Sequence, residues 1–483
     1  MKPEKFNEEL VRSELEEIVG PDHISTEEAD RLVYSCDWFW LPQMWLDRGE
    51  QTPPPDFVVH PGSPEEVSDV MQIANRHDIP VVPWGGGSGS QGGALPIHGG
   101  ILLDVKRMNE LIEIDEESMT VTAEAGINGQ QLEMALREKD LTLPHYPASA
   151  NCATLGGYLA PRGSGTISTK YGKAEELVLN MEVVLPDGNI IQTPEVPIHA
   201  AGPDFMNLFL GSEGTFGTIT KAEMQIEHLP DTRLLRALLF EDLENGIEFG
   251  RRLMTERLDP LVIRMYDPTE TADRVKEILG YELEGAYMVI GFDGDEDIAA
   301  LQEQKAMDIA EELDARDLGR EPGEKWWDHR YDFYYPPENL KFPWMYGTTE
   351  TVGKFENLKD IYYGQKEAVE SEYEEWDIHY IAHWSHWFPW GSGMYSRFVI
   401  QDPPDDTEEA VRLHNRVWNT AMTALMENGG MVNEHHGVGL KLDRFMRRQY
   451  GSAWPFLQDI KDAIDPNRIM NPGKVGFGRN PRP

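Results

Sequence analysis

In PVVPWGGGSGSQGGALPIHGGILLD, residues 80–104, a β-branched apolar run from Pro80 to Trp84 stops at three consecutive glycines. Gly89, Gly92 and Gly93 follow among small polar residues, and a second apolar run starts at Gly100. The pattern predicts strand, wide glycine loop, strand. Without Cβ atoms such a loop can turn backbone N–H groups into one concavity and let a pyrophosphate come close. Gly87, Gly89 and Gly92 also fit G-x-G-x-x-G. A nicotinamide-type Rossmann fingerprint must open a helix, however, and Pro96, Gly99 and Gly100 forbid one. The loop is read as a phosphate cradle of another kind.

With 483 residues the chain has room for two or three domains with sizeable cores. Its 40% apolar and 27% charged residues are ordinary for a soluble globular protein. Its charge is not: 85 acidic against 43 basic side chains give a formal −42. That balance argues against nucleic acid and anionic membrane surfaces as partners, since both need a basic footprint, and it reads as a solvated acidic surface. Cys36 and Cys152 are too few for a disulfide framework or a cysteine metal cluster and fit a reducing cytoplasm. The N-terminal MKPEKFNEELVRSELEEIVG has no apolar h-region, and no run of eighteen apolar residues occurs. The C-terminal GRNPRP carries neither a peroxisomal tripeptide nor a lipidation box. A soluble, cytoplasmic, untargeted protein without a transmembrane segment is expected.

Residues 5–20 have helical spacing (Phe6, Leu10, Leu15, Ile18) and stop at Gly20-Pro21. An aromatic patch, Trp38-Phe39-Trp40 and Trp45, precedes Pro53-Pro54-Pro55. Beyond the prolines short strands and helices alternate. Ser63-x-x-Glu66 is a capping box that starts a helix. Strands follow at ILLDV, LIEIDEESMTVTAEAG and LVLNMEVVLPDGNII, with a helix at about 128–139 and a hairpin turn at Pro186-Asp187-Gly188. From 231 to about 430, RLLRALLF, LVIRMYD, AYMVIGFDG and MYSRFVIQD alternate with helical segments, which predicts an antiparallel sheet with helices on one face. The last helix should end before Asp465-Pro466.

Three further stretches add to the first loop. One holds Pro147-Ala-Ser149, Ala153-Thr154-Leu-Gly156-Gly157, Ser164-Gly165 and Tyr171-Gly172. The next is Gly211-Ser-Glu-Gly214-Thr-Phe-Gly217-Thr-Ile219-Thr, and the last is Asp465-Pro-Asn-Arg-Ile-Met-Asn471-Pro472-Gly473-Lys474. In this order and spacing the four motifs closely resemble the FAD-binding fold of the vanillyl-alcohol oxidase and p-cresol methylhydroxylase (PCMH) superfamily, over about residues 55–480. The resemblance implies an α+β protein with an N-terminal helical segment (1–52) and a PCMH-type FAD-binding domain of two α+β subdomains (53–230). An α+β substrate cap of the FAD-linked oxidase C-terminal type (231–430) follows, and a C-terminal segment (431–483) returns to the flavin.

It further implies that Pro83, Gly85, Gly86, Gly87, Ser88 and Gly89 form the pyrophosphate loop. Pro147, Ser149, Thr154, Gly156, Gly157 and Ser164 would run along the flavin and ribityl chain, Gly214 and Ile219 would meet the adenosine end, and Asn471 would return to the flavin ring. Several members attach FAD through a histidine in the first loop; Gly87-Ser88-Gly89 offers none, so non-covalent FAD is expected. A small-molecule substrate and a homo-oligomer, a dimer, are expected with it.

The cap should set the reaction. The D-lactate, glycolate and 2-hydroxyglutarate dehydrogenase branch carries Glu-His-Gly-x-Gly, whose Glu joins a His-x6-His pair on a divalent metal. Here the loop reads Asn433-Glu434-His435-His436-Gly437-Val438-Gly439, so His435 stands in that Glu's place, although His379 and His386 keep the x6 spacing. The double histidine, with His383-Trp-Ser385-His386-Trp-Phe388-Pro-Trp-Gly391-x-x-x-Tyr395, is more similar to the alkyldihydroxyacetonephosphate synthase branch. Arg264 and Tyr395 fall where that branch has functional residues. Its reaction is non-redox overall: substrate forms an adduct at flavin N5 and an acyl group is exchanged for a fatty alcohol.

Read from the residues alone, oxidation of a hydroxyl over a flavin needs a base for the O–H proton while hydride leaves carbon for N5. His435, His436, His383, His386 and Tyr395 are the candidates. Arg264, with Arg330 and Arg397 behind it, would hold a carboxylate or phosphate bidentately. A metal on His383, His386 and His435 is chemically open, but none is assigned. The aromatic stretch 323–347 is either packing between domains or the wall of a pocket for an aromatic or long apolar substrate. The leading expectation is an FAD-dependent oxidoreductase acting on an alcohol or 2-hydroxy-acid-like substrate, with the ether-lipid synthase reaction second.

Overall fold

Three short, mostly apolar runs, Phe57–Val59, Val81–Trp84 and Ile101–Asp104, are largely buried and pair in parallel around Ile101–Asp104 in the computed structural model. The structure describes residues 6–335 and 337–478; Met1–Lys5, Pro336 and all of GRNPRP beyond its first residue lie outside. Ile24–Ser25 closes one edge of this sheet antiparallel to Val58–Val59. The crossover helix Pro64–Arg76 starts at Ser63, whose hydroxyl accepts the Glu66 N–H at 3.2 Å. The Glu66 carboxylate reaches back to the N–H of Gly62 rather than of Ser63, at 2.7 Å. Val67, Val70 and Met71 of this helix bury against Val11, Leu15 and Val19 of Glu8–Val19, so the N-terminal helix belongs to the first layer. The glycine loop between Trp84 and Ile101 contains no helix.

A second sheet is antiparallel throughout, in the order Leu111–Asp115, Thr120–Glu124, Thr218–Gln225, Val178–Val184, Ile190–Gln192. Gly188, at φ +88°, turns the chain between the last two sequential strands, and Asp187 Oδ1 accepts the Asn189 N–H at 2.9 Å. Helix Gly129–Arg137 buries Leu132 and Leu136 in the core of this sheet, and the late helix Trp454–Ile464 lays Leu457, Ile460 and Ile464 on it. That helix stops one residue before Asp465-Pro466.

The third sheet runs Arg316–Gly319, Thr232–Phe240, Ala286–Gly294, Val262–Tyr266, His379–Phe388, Gly391–Ile400, Thr351–Lys354, Met431–Val432, with Met345–Thr348 also on Gly391–Ile400. Every pairing in it is antiparallel. Leu243–Thr255, Glu296–Glu312, Leu358–Glu372 and Thr407–Glu427 cover one face. The expectation of helices on one face is corrected here: Arg320–His329 and the helical turns over 268–279 cover the other, packing Trp326, Val275 and Leu279 on Leu235, Ala237 and Val289. The physical reason is in Ala286–Gly294, apolar at nearly every position; a strand buried on both faces needs cover on both. Phe39, Trp40, Leu41 and Met44 join the core of this third unit, so the chain before the prolines contacts two layers. No helix among the described residues is long and apolar enough to cross a membrane.

Candidate active site

The glycine motifs meet along a groove of about 150 Å³ lined by Pro83, Gly85, Gly86, Gly87, Ser88, Gly89, Thr154, Gly156, Gly157, Gly214 and Ile219. Its walls depend on missing Cβ atoms. One on Gly86 would lie 2.1 Å from the Cys152 carbonyl oxygen, and one on Gly85 would lie 2.5 Å from Thr154 Oγ1. The loop is pressed onto residues 152–154. Beside Gly89 no atom lies within 4 Å of a Cβ position, so the cradle is open there. The buried hydroxyls of Thr218 and Ser90, which face this groove and the adjoining cavity, have no hydrogen-bond partner. Such a group costs about 1–3 kcal/mol when left unpaired, so the cradle fits a polar, phosphate-bearing cofactor that supplies partners.

Gly86, Gly87, Ser88 and His436 are shared with a larger cavity of about 470 Å³. Pro147, Ser149 and Ser164 line it, as do Arg264, His386, Tyr395, His435 and His436. Four of the residues read from the sequence, His383, Asn471, His379 and Arg330, line neither space. His383 stacks on Tyr395, rings 4.7 Å apart and 7° from parallel, with Nδ1 2.9 Å from a Glu270 carboxylate oxygen. Burial pushes its pKa down to about 4. Asn471 donates from Nδ2 to the carbonyls of Gly93 (2.8 Å) and Glu213 (2.7 Å), fastening the C-terminal segment to two glycine motifs instead of facing the cavity. The x6 pair also separates: His379 sits at the surface 2.6 Å from Asp273.

The double-histidine loop is held by carboxylates that the sequence did not single out. Asn433 adopts φ +69°, and the next three backbone N–H groups, of Glu434, His435 and His436, converge on Glu350 Oε1 at 3.3, 3.1 and 2.9 Å. Glu434 Oε2 accepts from Nδ1 of both His386 and His435 at 2.7 Å, while Oε1 takes Ser164 Oγ (3.1 Å) and Lys173 Nζ (3.0 Å). Burial would raise Glu434, but His386, Lys173 and His435 outweigh it and hold it well below the usual carboxylate range. Glu350 is likewise held low, with His435 and His436 outweighing its burial. The trios Glu350–His435–His436 and His386–Glu434–His435 have donor atoms within 4.8 Å of one another, close enough to share a cation. The trio His383–His386–His435 does not assemble, because Glu270 and Tyr395 engage His383 elsewhere. Glu213, inside the third glycine motif, accepts the N–H groups of Val438 and of Gly439 (2.9 Å), and burial pushes it up to about 7.

Across the cavity Arg264 is buried and donates to the phenols of Tyr334 and Tyr266, and it makes no ion pair among the described residues. Arg397 also lines the cavity, but Glu270 (3.3 Å) and Glu338 (3.4 Å) neutralise it. Arg330 does not line it and donates to the Trp327 carbonyl. The aromatic stretch divides between both roles considered for it: Trp326 is core, whereas Tyr334, Tyr335 and Tyr346 face the cavity and Phe333 serves both. Trp38, Phe39, Trp40 and Trp418 complete an apolar wall.

Comparison with known proteins agrees with this architecture. Residues 55–194 match the FAD binding domain family and residues 229–475 match the FAD linked oxidases, C-terminal domain. An uncharacterized FAD-linked oxidoreductase, YgcU of Escherichia coli O157:H7, is 32% identical over 480 residues, covering 96% of this chain and 97% of that protein. Alkyldihydroxyacetonephosphate synthase of Dictyostelium discoideum is 28% identical, covering 98% of this chain and 81% of its own. A solved alkyldihydroxyacetonephosphate synthase superposes with a TM-score of 0.80 at 26% identity, over 98% of this chain and 86% of that one. The cofactor is FAD, held without a covalent bond by a loop that offers it no histidine. The chain belongs to the FAD-linked oxidases, and it is an FAD-dependent oxidoreductase of the vanillyl-alcohol oxidase superfamily.

Proposed function

We propose that the protein oxidises a small alcohol bearing an anionic group, of the 2-hydroxy-acid type, with His436 or its neighbour His435 as base. The observation that carries this reading is Arg264, a buried cation that forms no ion pair among the described residues and faces the same cavity as the double histidine. Glu270 feels its charge but is already paired with His383 and Arg397, so a substrate carboxylate would give Arg264 a direct partner, with the guanidinium already oriented by Tyr334 and Tyr266. FAD, when bound, supplies the hydride acceptor. With Nδ1 of both His435 and His436 turned towards carboxylates, Nε2 is the edge left for the substrate hydroxyl. Tyr395 and Tyr346, joined hydroxyl to hydroxyl at 3.2 Å, can share the hydrogen bond to the reacting oxygen. The tryptophan and phenylalanine wall excludes water and would suit an apolar substituent on the same molecule.

The second reading is the synthase reaction. Arg264 would hold a phosphate as readily as a carboxylate, and the likeness to the synthases supports it. An anaerobic absorbance titration of the holoenzyme with D- and L-2-hydroxy acids, aromatic alcohols and acyl-dihydroxyacetone phosphate separates the two. Loss of the oxidised-flavin band with a hydroxy acid is the expected result. Bleaching by acyl-dihydroxyacetone phosphate alone, with fatty acid released, would replace the oxidoreductase reading by the synthase.

A further inference from the structure

We propose that Glu350 sets the tautomer of His436, the second residue of the double histidine, keeping the ring proton on Nδ1 so that Nε2 stays bare towards the cavity. Its catalytic consequence rests on the reaction proposed above, in which it makes Glu350 a positioning residue for the base.

The residues on either side of Glu350 are tied down. Thr349 donates its N–H to the Ser396 carbonyl (2.8 Å) and its carbonyl accepts from Gln365 (3.0 Å), while Thr351 Oγ1 donates to the Met431 carbonyl (2.6 Å). From this fixed point Oε1 gathers three consecutive N–H groups, and Asn433 Oδ1 accepts a second bond from the His436 N–H at 2.9 Å. The backbone of the loop is therefore built around one carboxylate oxygen. The other oxygen, Oε2, lies 3.1 Å from Nδ1 of His435 and 2.9 Å from Nδ1 of His436. Neither Oε2 nor Nδ1 of His436 has a hydrogen-bond partner among the described residues, although both are buried. A carboxylate oxygen taken out of water needs a donor, and these two ring nitrogens are the donors within reach. Nδ1 of His435 is also committed to Glu434 Oε2 at 2.7 Å. The proton of a substrate hydroxyl would then go to Nε2, and the imidazolium formed would face a carboxylate that keeps its charge throughout.

Glu350→Gln tests this. Its amide oxygen can still accept the three N–H groups, but its NH₂ would face the rings as a donor and demand a bare Nδ1. In [15N]histidine-labelled holoenzyme, two-bond 15N–1H spectra report which ring nitrogen carries the proton. The expected result is Nδ1–H at His435 and His436 in the wild type and Nε2–H at His436 in E350Q, with FAD absorbance retained. Flavin reduction by the hydroxy acid that bleaches the wild type should then slow roughly 10²–10⁴-fold with little change in KM. An unchanged tautomer in E350Q overturns the proposal, as do wild-type rings already protonated on Nε2. A stoichiometric divalent metal in the purified holoenzyme, with both Nδ1 resonances shifted by coordination, overturns it as well. Should E350Q not fold, the wild-type spectrum still decides. If no hydroxy acid bleaches the flavin while Nδ1–H is in place, the oxidoreductase reading fails and the tautomer assignment stands.

Discussion

Replacing Gly86 by alanine should empty the cofactor groove while the rest of the fold survives. The added Cβ would meet the Cys152 carbonyl oxygen at 2.1 Å, its carbon at 2.7 Å and Ala153 Cα at 2.9 Å. All three are backbone atoms, so no rotamer relieves the clash, and ordinary contact begins only at 3.4 Å. One wall must move. Residues 152–155 resist through Ala153 N–H to Ser149 O (2.8 Å), Gly129 N–H to Ala153 O (3.0 Å) and Leu155 N–H to Ile127 O (3.0 Å). Overpacking of this kind costs about 1–3 kcal/mol, and breaking one buried backbone bond costs about 1–3 kcal/mol more. The apoprotein can let the loop swing away, but the bound state needs it in place. FAD affinity should therefore fall between ~30-fold and ~10⁴-fold, at about 1.4 kcal/mol per decade. The assay is the ratio of flavin to protein absorbance after purification, followed by fluorescence titration of deflavinated protein with FAD. Gly89→Ala, whose Cβ meets nothing within 4 Å, is the control for the apoprotein fold and should melt as the wild type does. A G86A protein that purifies with full FAD and wild-type affinity would refute the argument.

Arg264→Met should raise KM for an anionic substrate about 10- to 100-fold, the worth of a charge-assisted hydrogen bond of ~1.5–3 kcal/mol, and leave FAD bound; an unchanged KM would remove Arg264 from the substrate site. His383, pushed down to about 4 from the usual 6.5, stays neutral in the fold while the unfolded chain takes up a proton. Its contribution is therefore lost as pH falls from 6.5 towards 4, by about 1.4 kcal/mol per pH unit. Asp37, Glu213 and Asp267, each pushed up to about 7 by burial, act with the opposite sign over much of that range. The informative quantity is therefore the difference in melting between wild type and His383→Gln, and a difference independent of pH would contradict the assignment. The formal charge of −42 predicts a melting temperature that rises by several degrees between 0.1 M and 1 M KCl, as the screening length drops from about 10 Å to 3 Å; a flat or falling trend would show that the acidic surface does not strain the fold.

The features legible in the sequence are those fixed within a few residues: the strands on either side of the glycine loop, the Ser63 cap, the turn at Gly188, and the helix stop before Pro466. His379–Phe388 was not legible. It is buried along nearly its whole length, so it lacks the alternation that marks a half-exposed strand, and a bulge between Trp384 and His386 interrupts its register. For the same reason His383 and His386 look equivalent in the sequence, although one stacks on Tyr395 and bonds Glu270 while the other faces the cavity and bonds Glu434. Glu270, Glu350 and Glu434 are three among 85 acidic residues, with nothing nearby in sequence to set Glu270 or Glu350 apart. What distinguishes them is burial beside histidine and arginine from distant strands, which a linear pattern does not carry. Glu213 did carry a signal, its place between Ser212 and Gly214 in a motif otherwise read for its glycines.

Glu213 belongs to two parts of the molecule at once: it lines the cofactor groove and clasps the backbone that follows the double histidine. Asn471 ties its carbonyl to that of Gly93. A change that displaces the groove should therefore displace the histidine loop, so that cofactor retention and placement of the proposed base would rise or fall together. The opposite wall is joined more loosely: Arg264 donates to the Tyr334 phenol, while Trp418 arrives on a separate helix. Single substitutions there should change which molecule fits without loosening the cofactor groove. The scaffold is thus rigid in heredity where electrons move and permissive where molecules are chosen, an asymmetry that lets new substrates be adopted without rebuilding the chemistry.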